Sequence, residues 1–278
     1  MSGGEADRED VGTRLRDFYE TPTVPVRSGQ LRTRRLLLLL DDILRTADRP
    51  LRIVDVGCGD GMCTELTAAR AGEAGGHLVV GVDWAEGPLK QAAERGLTLV
   101  RGSLDGGLPL ASGSVDVVIL SEVVEHLVDT DGGLAELHRV LRPGGHLVLS
   151  TPNLAAWFNR GLVLAGIQPI FSEVSLRRVY GRPGAVVAGH LRLFTRRALT
   201  GFLADQGFTD IRVSGACYHD VPRPLRPLDR CFRLIPGLAA ILMVHARKPV
   251  LRGRWNRHRA VRHRHLQRRF RAGEAGAQ

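Results

Sequence analysis

The sequence has few cysteines and no long apolar run. Its four cysteines, at positions 58, 63, 217 and 231, follow neither a disulfide pattern nor metal-site spacing. We therefore expect a reducing, cytoplasmic location. Residues 36–40 are five leucines, but two aspartates end the run, far short of the roughly 20 apolar residues that cross a membrane. We expect no transmembrane segment, no signal peptide in the acidic N-terminus, and a helix at the leucines that covers a sheet.

Acidic residues are almost absent from the C-terminal segment. After residue 246 the only acid is Glu274, whereas ten arginines and one lysine lie between Arg247 and Arg271. The net charge of +10 of the whole chain is therefore carried by residues 247–278. We expect a partly disordered basic tail, which could contact a polyanion such as RNA or an anionic membrane.

A strand, a glycine turn and a helix follow one another near residue 50. Residues 51–56 have the apolar composition of a buried parallel strand, and residues 62–70 can form a helix. Between them, Gly57 and Gly59 permit a tight turn where the backbone approaches a ligand closely. A dinucleotide fingerprint would place its third glycine at Met62, but this chain has it at Gly61. The spacing thus disfavours a nicotinamide oxidoreductase.

A second apolar run, residues 78–82, ends in Asp83. A carboxylate at the tip of the second strand can accept hydrogen bonds from both hydroxyls of a ribose. The two motifs together predict a site for a cofactor that contains adenosine.

These motifs and several later ones resemble the class I S-adenosylmethionine-dependent methyltransferases over roughly residues 50–215. The later motifs are residues 108–110, 113–118, 121–126, 141–145, 150–153 and 189–195. The resemblance implies an α/β, Rossmann-like, doubly wound fold. Its seven-stranded sheet would be mostly parallel with an antiparallel last strand, and helices would cover both faces.

The predicted organisation is a polar arm (1–30), a methyltransferase domain (31–246) and the basic tail (247–278). An insertion near 153–190, rich in apolar and aromatic residues, is placed to form a lid over the acceptor. We expect irregular structure at 217–237 and a turn at Pro143-Gly144-Gly145 that ends a helix over 134–141. The predicted strands lie near 51–56, 78–83, 97–101, 115–120, 146–150, 211–214 and 238–246, with further helices at 31–47 and 195–207.

The resemblance implies roles for four residues at the methionine and ribose end of S-adenosylmethionine. Asp55 would fix the methionyl ammonium, directly or through water, and Asp83 would bind the ribose hydroxyls. Gly57 and Gly59 would let the backbone lie along the cofactor.

At the adenine end, the resemblance implies that Trp84 lies against the adenine face. Ser103 stands where many relatives carry an aspartate for the adenine amino group, and its hydroxyl can still accept a hydrogen bond. The Leu104 backbone would supply a neighbouring contact, and Ser121 would present a main-chain carbonyl.

The predicted catalytic residues follow the fourth strand. His126 is the candidate base for a hydroxyl acceptor, with Glu125 and His190 beside it. If residues 122–126 are helical, Glu122, Glu125 and His126 share one surface and could hold a divalent ion such as magnesium. This pattern, with His190, resembles the metal site of ubiquinone-pathway O-methyltransferases and small-RNA 2′-O-methyltransferases, where the ion lowers the pKa of the acceptor hydroxyl.

Three hypotheses remain for the function. The favoured one is O-methylation of a small hydroxylated acceptor, apolar or aromatic, by in-line displacement. The second is a methyltransferase that acts on RNA or a peptide, which the basic tail supports. The third is a binding protein that keeps the fold without catalysis, and the intact glycine turn with its two aspartates disfavours it.

Overall fold

The computed structural model describes residues 30–184, 186–218 and 220–250, with side chains from residue 32. The N-terminal arm and the tail from residue 251, with the predictions made for them, lie outside this range. The strands are β1 Arg52–Val56, β2 Leu78–Asp83, β3 Leu99–Arg101, β4 Val115–Ser121, β5 Leu141–Pro152, β6 Thr209–Ala216 and β7 Ile241–Arg247. The helices are α1 Gln30–Arg45, α2 Met62–Glu73, α3 Glu86–Glu94, α4 Thr130–Val140, α5 Trp157–Leu164, α6 Arg196–Asp205 and α7 Arg226–Phe232.

The strands form one sheet in the order β3-β2-β1-β4-β5-β7-β6. Neighbours among β1 to β5 pair in parallel, and β7 runs antiparallel between β5 and β6. The predicted Rossmann-like sheet, including its antiparallel last strand, is confirmed. Because the strand order reverses between β1 and β4, a crevice opens at their carboxyl ends, where ligands bind in this class of sheet.

Alternate residues of each buried strand face opposite layers, because successive side chains of a strand point to opposite faces. Ile53 belongs to the apolar cluster under α1, and Val54 belongs to the cluster under α4 and α6. The leucine run does cover the sheet, since Leu36 and Leu40 are fully buried. Within the described ranges, no helix is long and apolar enough to cross a membrane.

Two local predictions were wrong. Residues 217–237 are not irregular throughout: a 3₁₀ turn, Arg223–Leu225, leads into α7. Pro224 and Pro227 lie in the first turns of these helices, where a missing N–H breaks no helical hydrogen bond.

The second difference concerns Pro143-Gly144-Gly145. Helix α4 ends at Val140, and the three residues lie inside β5 rather than before it. They occupy a bulge, because Val115 pairs with Leu141 while Val117 pairs with His146.

A substitution at Gly61, which precedes α2, tests how closely the turn between β1 and α2 is packed. Its φ of 81° lies in the left-handed region, and an added Cβ would lie 2.6 Å from Leu97 Cδ1 and 2.8 Å from Ala92 Cβ. We expect Gly61→Ala to lower the free energy of unfolding in urea by about 2–4 kcal/mol. Gly96→Ala is the matched control, because φ is 72° but the space is open. We expect Gly96→Ala to lower the free energy of unfolding by about 1 kcal/mol. Equal decreases for the two variants would contradict this account of the packing.

Candidate active site

The glycine turn connects three strands at the carboxyl edge of the sheet. The amides of Gly57 and Cys58 donate to the Val82 carbonyl at 2.7 and 3.1 Å, which joins the end of β1 to β2. A Cβ on Gly57 would lie 2.4 Å from Val123 Cγ2, so the segment after β4 packs against the turn. A Cβ on Gly59 would meet nothing within 4 Å. The backbone at Gly59 therefore borders open space at the crevice.

Asp83 holds this turn in place. Its Oδ2 accepts a hydrogen bond from the Gly59 amide at 2.8 Å, and its Oδ1 accepts one from the Ala85 amide at 2.9 Å. The side chain is nearly buried at the tip of β2. The structure thus places Asp83 against the same glycine turn that the sequence predicted as its partner in the site.

Asp55 lies in β1 beneath the turn and is 1% exposed. Thr64, in the first turn of α2, donates a 2.6 Å hydrogen bond to its Oδ2. Burial raises the pKa of Asp55 to about 7, and the nearby Asp83 carboxylate acts in the same direction. The sequence reasoning missed Thr64. A hydroxyl residue in the first turn of the helix after the glycines is the signal that could have indicated it.

Glu122 is not aligned on a helix with Glu125 and His126, so that prediction was wrong. Its backbone is left-handed, with φ of 57°, and the 3₁₀ turn begins only at Val124. Its Oε1 accepts from the Ser150 hydroxyl at 2.9 Å, and its Oε2 lies 3.3 Å from Arg32 Nη1. Glu122 therefore pairs with α1 rather than with the histidines.

Arg32 and Ser150 were not predicted as site residues. The Arg32 Nε atom is buried and makes no hydrogen bond, and its guanidinium lies against Glu122. The Ser150 hydroxyl lies 3.1 Å from that of Ser121, the last residue of β4. No sequence spacing connects Arg32 with Ser150, because α1 and β5 meet only in the folded sheet.

Glu125, His126 and His190 come together as predicted. One potential ligand atom from each lies within 4.8 Å of the others, and the imidazole centroids are 4.9 Å apart. His126 Nδ1 lies 3.0 Å from the Gly189 carbonyl, and His190 Nδ1 lies 2.9 Å from the Phe171 carbonyl. Because a carbonyl oxygen only accepts, the Nδ1 atom of each ring donates a hydrogen bond to its carbonyl, and in the neutral tautomer that this fixes the lone pair is on Nε2.

The charges of this cluster follow from its burial. Glu125 is fully buried; its Oε2 accepts from the Thr151 hydroxyl at 2.9 Å, while its Oε1 has no hydrogen-bond partner. Burial, with Glu122 close by, raises the Glu125 pKa well above its usual range. Burial and the neighbouring His190 lower the pKa of His126 to about 3. His126 is therefore neutral near pH 7, so a cation that binds it would not have to displace a proton.

Glu173 fixes the loop that carries His190, and the sequence reasoning missed it. Its Oε2 accepts from the amides of Gly189 and His190 at 2.7 and 3.0 Å. Its Oε1 accepts from the Ala188 amide at 2.5 Å and lies 3.1 Å from Arg182 Nη2. A buried carboxylate with four donors is a rigid anchor, so the position of His190 depends on Glu173, which lies 17 positions earlier in the chain.

Aromatic side chains of the insertion pack beside the histidines. The Phe171 ring lies 6.2 Å from His190, 4.9 Å from Tyr218 and 6.1 Å from Phe158, centroid to centroid. Phe171 is only 7% exposed. The insertion therefore packs on its own domain and at the same time forms an apolar wall next to His190.

The predicted adenine-end residues lie around the ends of β2 and β3. The Trp84 carbonyl accepts a 3.1 Å hydrogen bond from Arg101 Nε, which connects the two strand ends. The Ser103 hydroxyl accepts from the Asp105 amide at 3.2 Å, so it stabilises its own turn. Leu104 is buried at 7% exposure and packs in the main core.

Comparison with known proteins gives a consistent picture. Residues 54–149 match a family model described as a methyltransferase domain. A probable S-adenosylmethionine-dependent methyltransferase of Mycobacterium tuberculosis is 32% identical over 179 residues, which cover 64% of this chain and 54% of that protein. A ubiquinone biosynthesis O-methyltransferase of Ruegeria pomeroyi is 39% identical over 108 residues, 37% of this chain and 42% of that one. The chain spans about half the length of such curated relatives, or less.

Solved structures share the fold. An S-adenosylmethionine-dependent methyltransferase from Thermotoga maritima, described as a possible histamine N-methyltransferase, covers 86% of this chain and 98% of its own. Its TM-score is 0.51 at 16% identity. A methyltransferase from Methanosarcina mazei gives a TM-score of 0.52 at 20% identity, over 75% of this chain and 97% of its own. At these identities the similarity concerns the fold alone.

Asp55→Asn tests the burial of this carboxyl. A raised pKa means that the native state holds its proton at pH values where the unfolded state has lost it, so this group destabilises the fold as pH rises from about 4 to 7. We expect similar urea-unfolding free energies for the variant and the parent near pH 4, and a variant more stable by about 2–4 kcal/mol at pH 8. Asp105→Asn, the same change at an exposed position, is the control. A difference in unfolding free energy between variant and parent that does not change with pH would contradict the raised pKa of Asp55.

Proposed function

This chain contains a domain of the class I S-adenosylmethionine-dependent methyltransferases, and on that premise we propose that it methylates the oxygen of a small hydroxylated, apolar or aromatic acceptor. One observation carries the proposal. Two groups of residues lie at the carboxyl edge of the same sheet. One is the glycine turn with Asp55 and Asp83, and the other is the cluster of Glu125, His126 and His190.

The residues of the turn fit S-adenosylmethionine. The space over Gly59 is open, and the Asp83 carboxylate beside it would bind the ribose hydroxyls. Asp55 is a buried acid whose pKa is raised by burial, so the methionyl ammonium would stabilise its charged form. The buried Nε of Arg32 makes no hydrogen bond, and the Arg32 guanidinium would hold the cofactor carboxylate.

The protein has little bond-breaking chemistry to perform. When bound, S-adenosylmethionine supplies a methyl group that is already activated by its sulfonium. This chain must therefore align the acceptor, exclude water and remove the hydroxyl proton. The Nε2 lone pair of His126 would accept that proton, and the Gly189 carbonyl would stabilise the resulting imidazolium through Nδ1.

The wall of Phe171, Phe158 and Tyr218 supports an apolar or aromatic acceptor. These rings pack edge to face or tilted against one another, and Phe171 also packs edge to face against His190. Aromatic rings favour stacked or edge contacts with other aromatic rings. Such a wall would also keep water from the reacting atoms.

A divalent ion held by the three clustered side chains is an alternative to proton removal by His126. Glu125, His126 and His190 would bind the ion, which would draw the acceptor hydroxyl close and lower its pKa. With Glu122 paired to Arg32, the ligand set has two imidazoles and one carboxylate. That set suits iron, manganese, cobalt or zinc better than magnesium, which prefers oxygen ligands.

Methylation of RNA is the second candidate, because residues 247–278 carry ten positive charges in excess. The first residues of this basic segment lie at the amino edge of the sheet, where the Lys248 carbonyl accepts a hydrogen bond from the Gly144 amide. The cluster with His126 lies at the opposite edge. This separation favours a small acceptor.

Asp83→Ala tests the cofactor site. It removes a carboxylate that would make two charge-assisted hydrogen bonds to the ribose, so we expect S-adenosylmethionine to bind about 100-fold more weakly by calorimetry. Ser103→Ala is the control, since its hydroxyl serves its own turn, and it should change affinity less than about fivefold. Unchanged affinity in Asp83→Ala would remove this site assignment. No binding by the parent protein would instead favour a protein that keeps the fold without the catalysis.

A pair of glutamate variants tests the metal proposal. We expect Glu125→Gln to weaken binding of Mn²⁺, followed by electron paramagnetic resonance, by about 10- to 100-fold because a charged ligand is lost. Glu122→Gln should leave Mn²⁺ binding nearly unchanged, since its carboxylate pairs with Arg32. The reverse order of effects, or no Mn²⁺ binding by the parent, would contradict the proposed ligand set.

A further inference from the structure

Residues 223–235, which we call the α7 surface, expose several large aliphatic side chains. Leu225 is 43% exposed, Leu228 41%, Leu234 74% and Ile235 53%. Single exposed aliphatic residues are ordinary on protein surfaces, but a concentration within one short segment marks a binding site.

The same segment is strongly basic. Arg223, Arg226 and Arg230 are exposed, and Arg233 is partly exposed. The one acid within residues 223–235 is Asp229, which is 2% exposed. Its carboxylate accepts from the Trp157 indole at 3.0 Å and from the Tyr218 amide at 3.1 Å. The α7 surface therefore presents arginines and leucines to solvent, and its only carboxylate points into the protein.

From this combination we propose that the α7 surface binds the face of an anionic lipid bilayer. Leucine and isoleucine side chains would enter the boundary between headgroups and acyl chains, and the guanidinium groups would contact lipid phosphates. The aliphatic stems of the arginines would lie along the apolar region while their charged ends stay in the headgroup layer. An RNA site would instead combine cations with aromatic stacking surfaces, whereas the exposed side chains here are aliphatic.

The position of the α7 surface connects it to the acceptor side of the sheet. The Trp157 ring at the start of α5 stacks on Phe232 of α7, with centroids 5.6 Å apart. The far end of α5 exposes Val163 at 58% and Leu164 at 90%. The α7 surface is thus packed against α5, a helix of the insertion that exposes aliphatic side chains of its own.

An aromatic path runs from this region to the catalytic cluster. Phe158 lies 5.5 Å from Trp157 and 6.1 Å from Phe171, and Phe171 lies 6.2 Å from His190. A bilayer bound at α7 would place an apolar acceptor dissolved in it next to the insertion. This last step rests on the proposed function, whereas lipid binding itself does not.

The experiment uses the full chain with a fluorescent reporter at Cys231, which is exposed on α7. The other thiols are buried or half-buried, and burial raises the pKa of Cys217 to about 11, so Cys231 reacts first with an NBD maleimide. The vesicles contain phosphatidylcholine and phosphatidylglycerol, 3:1, in about 0.5 M NaCl, which screens long-range attraction by the basic tail. We expect the probe to brighten and shift to the blue. A probe on Ala111→Cys in a Cys231→Ser background, at the amino edge of the sheet, should not respond.

Matched leucine pairs then test the contact. Leu225→Ser with Leu228→Ser should lower the vesicle partition coefficient about tenfold or more, because two apolar side chains no longer enter the interface. Leu38→Ser with Leu66→Ser is the control; these residues are similarly exposed, at 49% and 44%, but lie on α1 and α2. This pair should bind vesicles like the parent. Circular dichroism and calorimetry with S-adenosylmethionine, without vesicles, report separately on folding and on the cofactor site.

Three outcomes would overturn the proposal. The first is an unshifted Cys231 probe in the presence of anionic vesicles. The second is equal vesicle binding by the two leucine pairs. The third is poly-uridine binding that Arg223→Gln with Arg230→Gln weakens while the α7 leucine pair leaves it intact, which would assign the surface to RNA. Loss of cofactor binding with retained vesicle binding would refute the proposed function alone.

Discussion

The hydrogen bond from the Gly59 amide to Asp83 is the constraint on which the site depends. It joins the turn after β1 to the tip of β2, so the positive φ values of Gly57 and Gly59 are held by tertiary structure as well as by residue type. The same turn contacts Val123 after β4, which connects the cofactor side with the histidine side. Asp55 lies beneath this junction, buried and with a raised pKa. A cationic group of a ligand would stabilise the charged form of Asp55.

The histidine side is organised by a different principle. Backbone carbonyls of Gly189 and Phe171 orient the two imidazoles, and the carboxylate of Glu173 holds the amides of the loop that carries His190. The orientation of each imidazole is thereby fixed by groups outside the cluster of Glu125, His126 and His190. Such fixed orientation lowers the reorganisation needed for proton transfer or cation binding.

Sequence reasoning predicted the sheet, the glycine turn and the two aspartates beside it because those features depend on local patterns. Apolar runs predict the strands, glycine spacing predicts the turn, and an acid after a strand lies at its tip. The errors have a common physical origin. Glu122 would share a surface with Glu125 and His126 if residues 122–126 were helical, but its backbone is left-handed and its carboxylate pairs with Arg32. Arg32, Ser150 and Glu173 were missed because their partners lie on elements distant in the chain, and Thr64 because only its contact with Asp55 distinguishes it.

The sequence alone determines the order of strands and helices, the glycine turn with its two aspartates and the concentration of positive charge after residue 246. These properties follow from periodicity, backbone freedom and composition, which are local. Tertiary structure decides which side chains meet: the choice of His190 rather than Glu122 beside His126, the raised pKa of Asp55, and the joined aliphatic and basic surface at α7. Burial and contact between distant segments produce these features, and both exist only once the sheet is assembled.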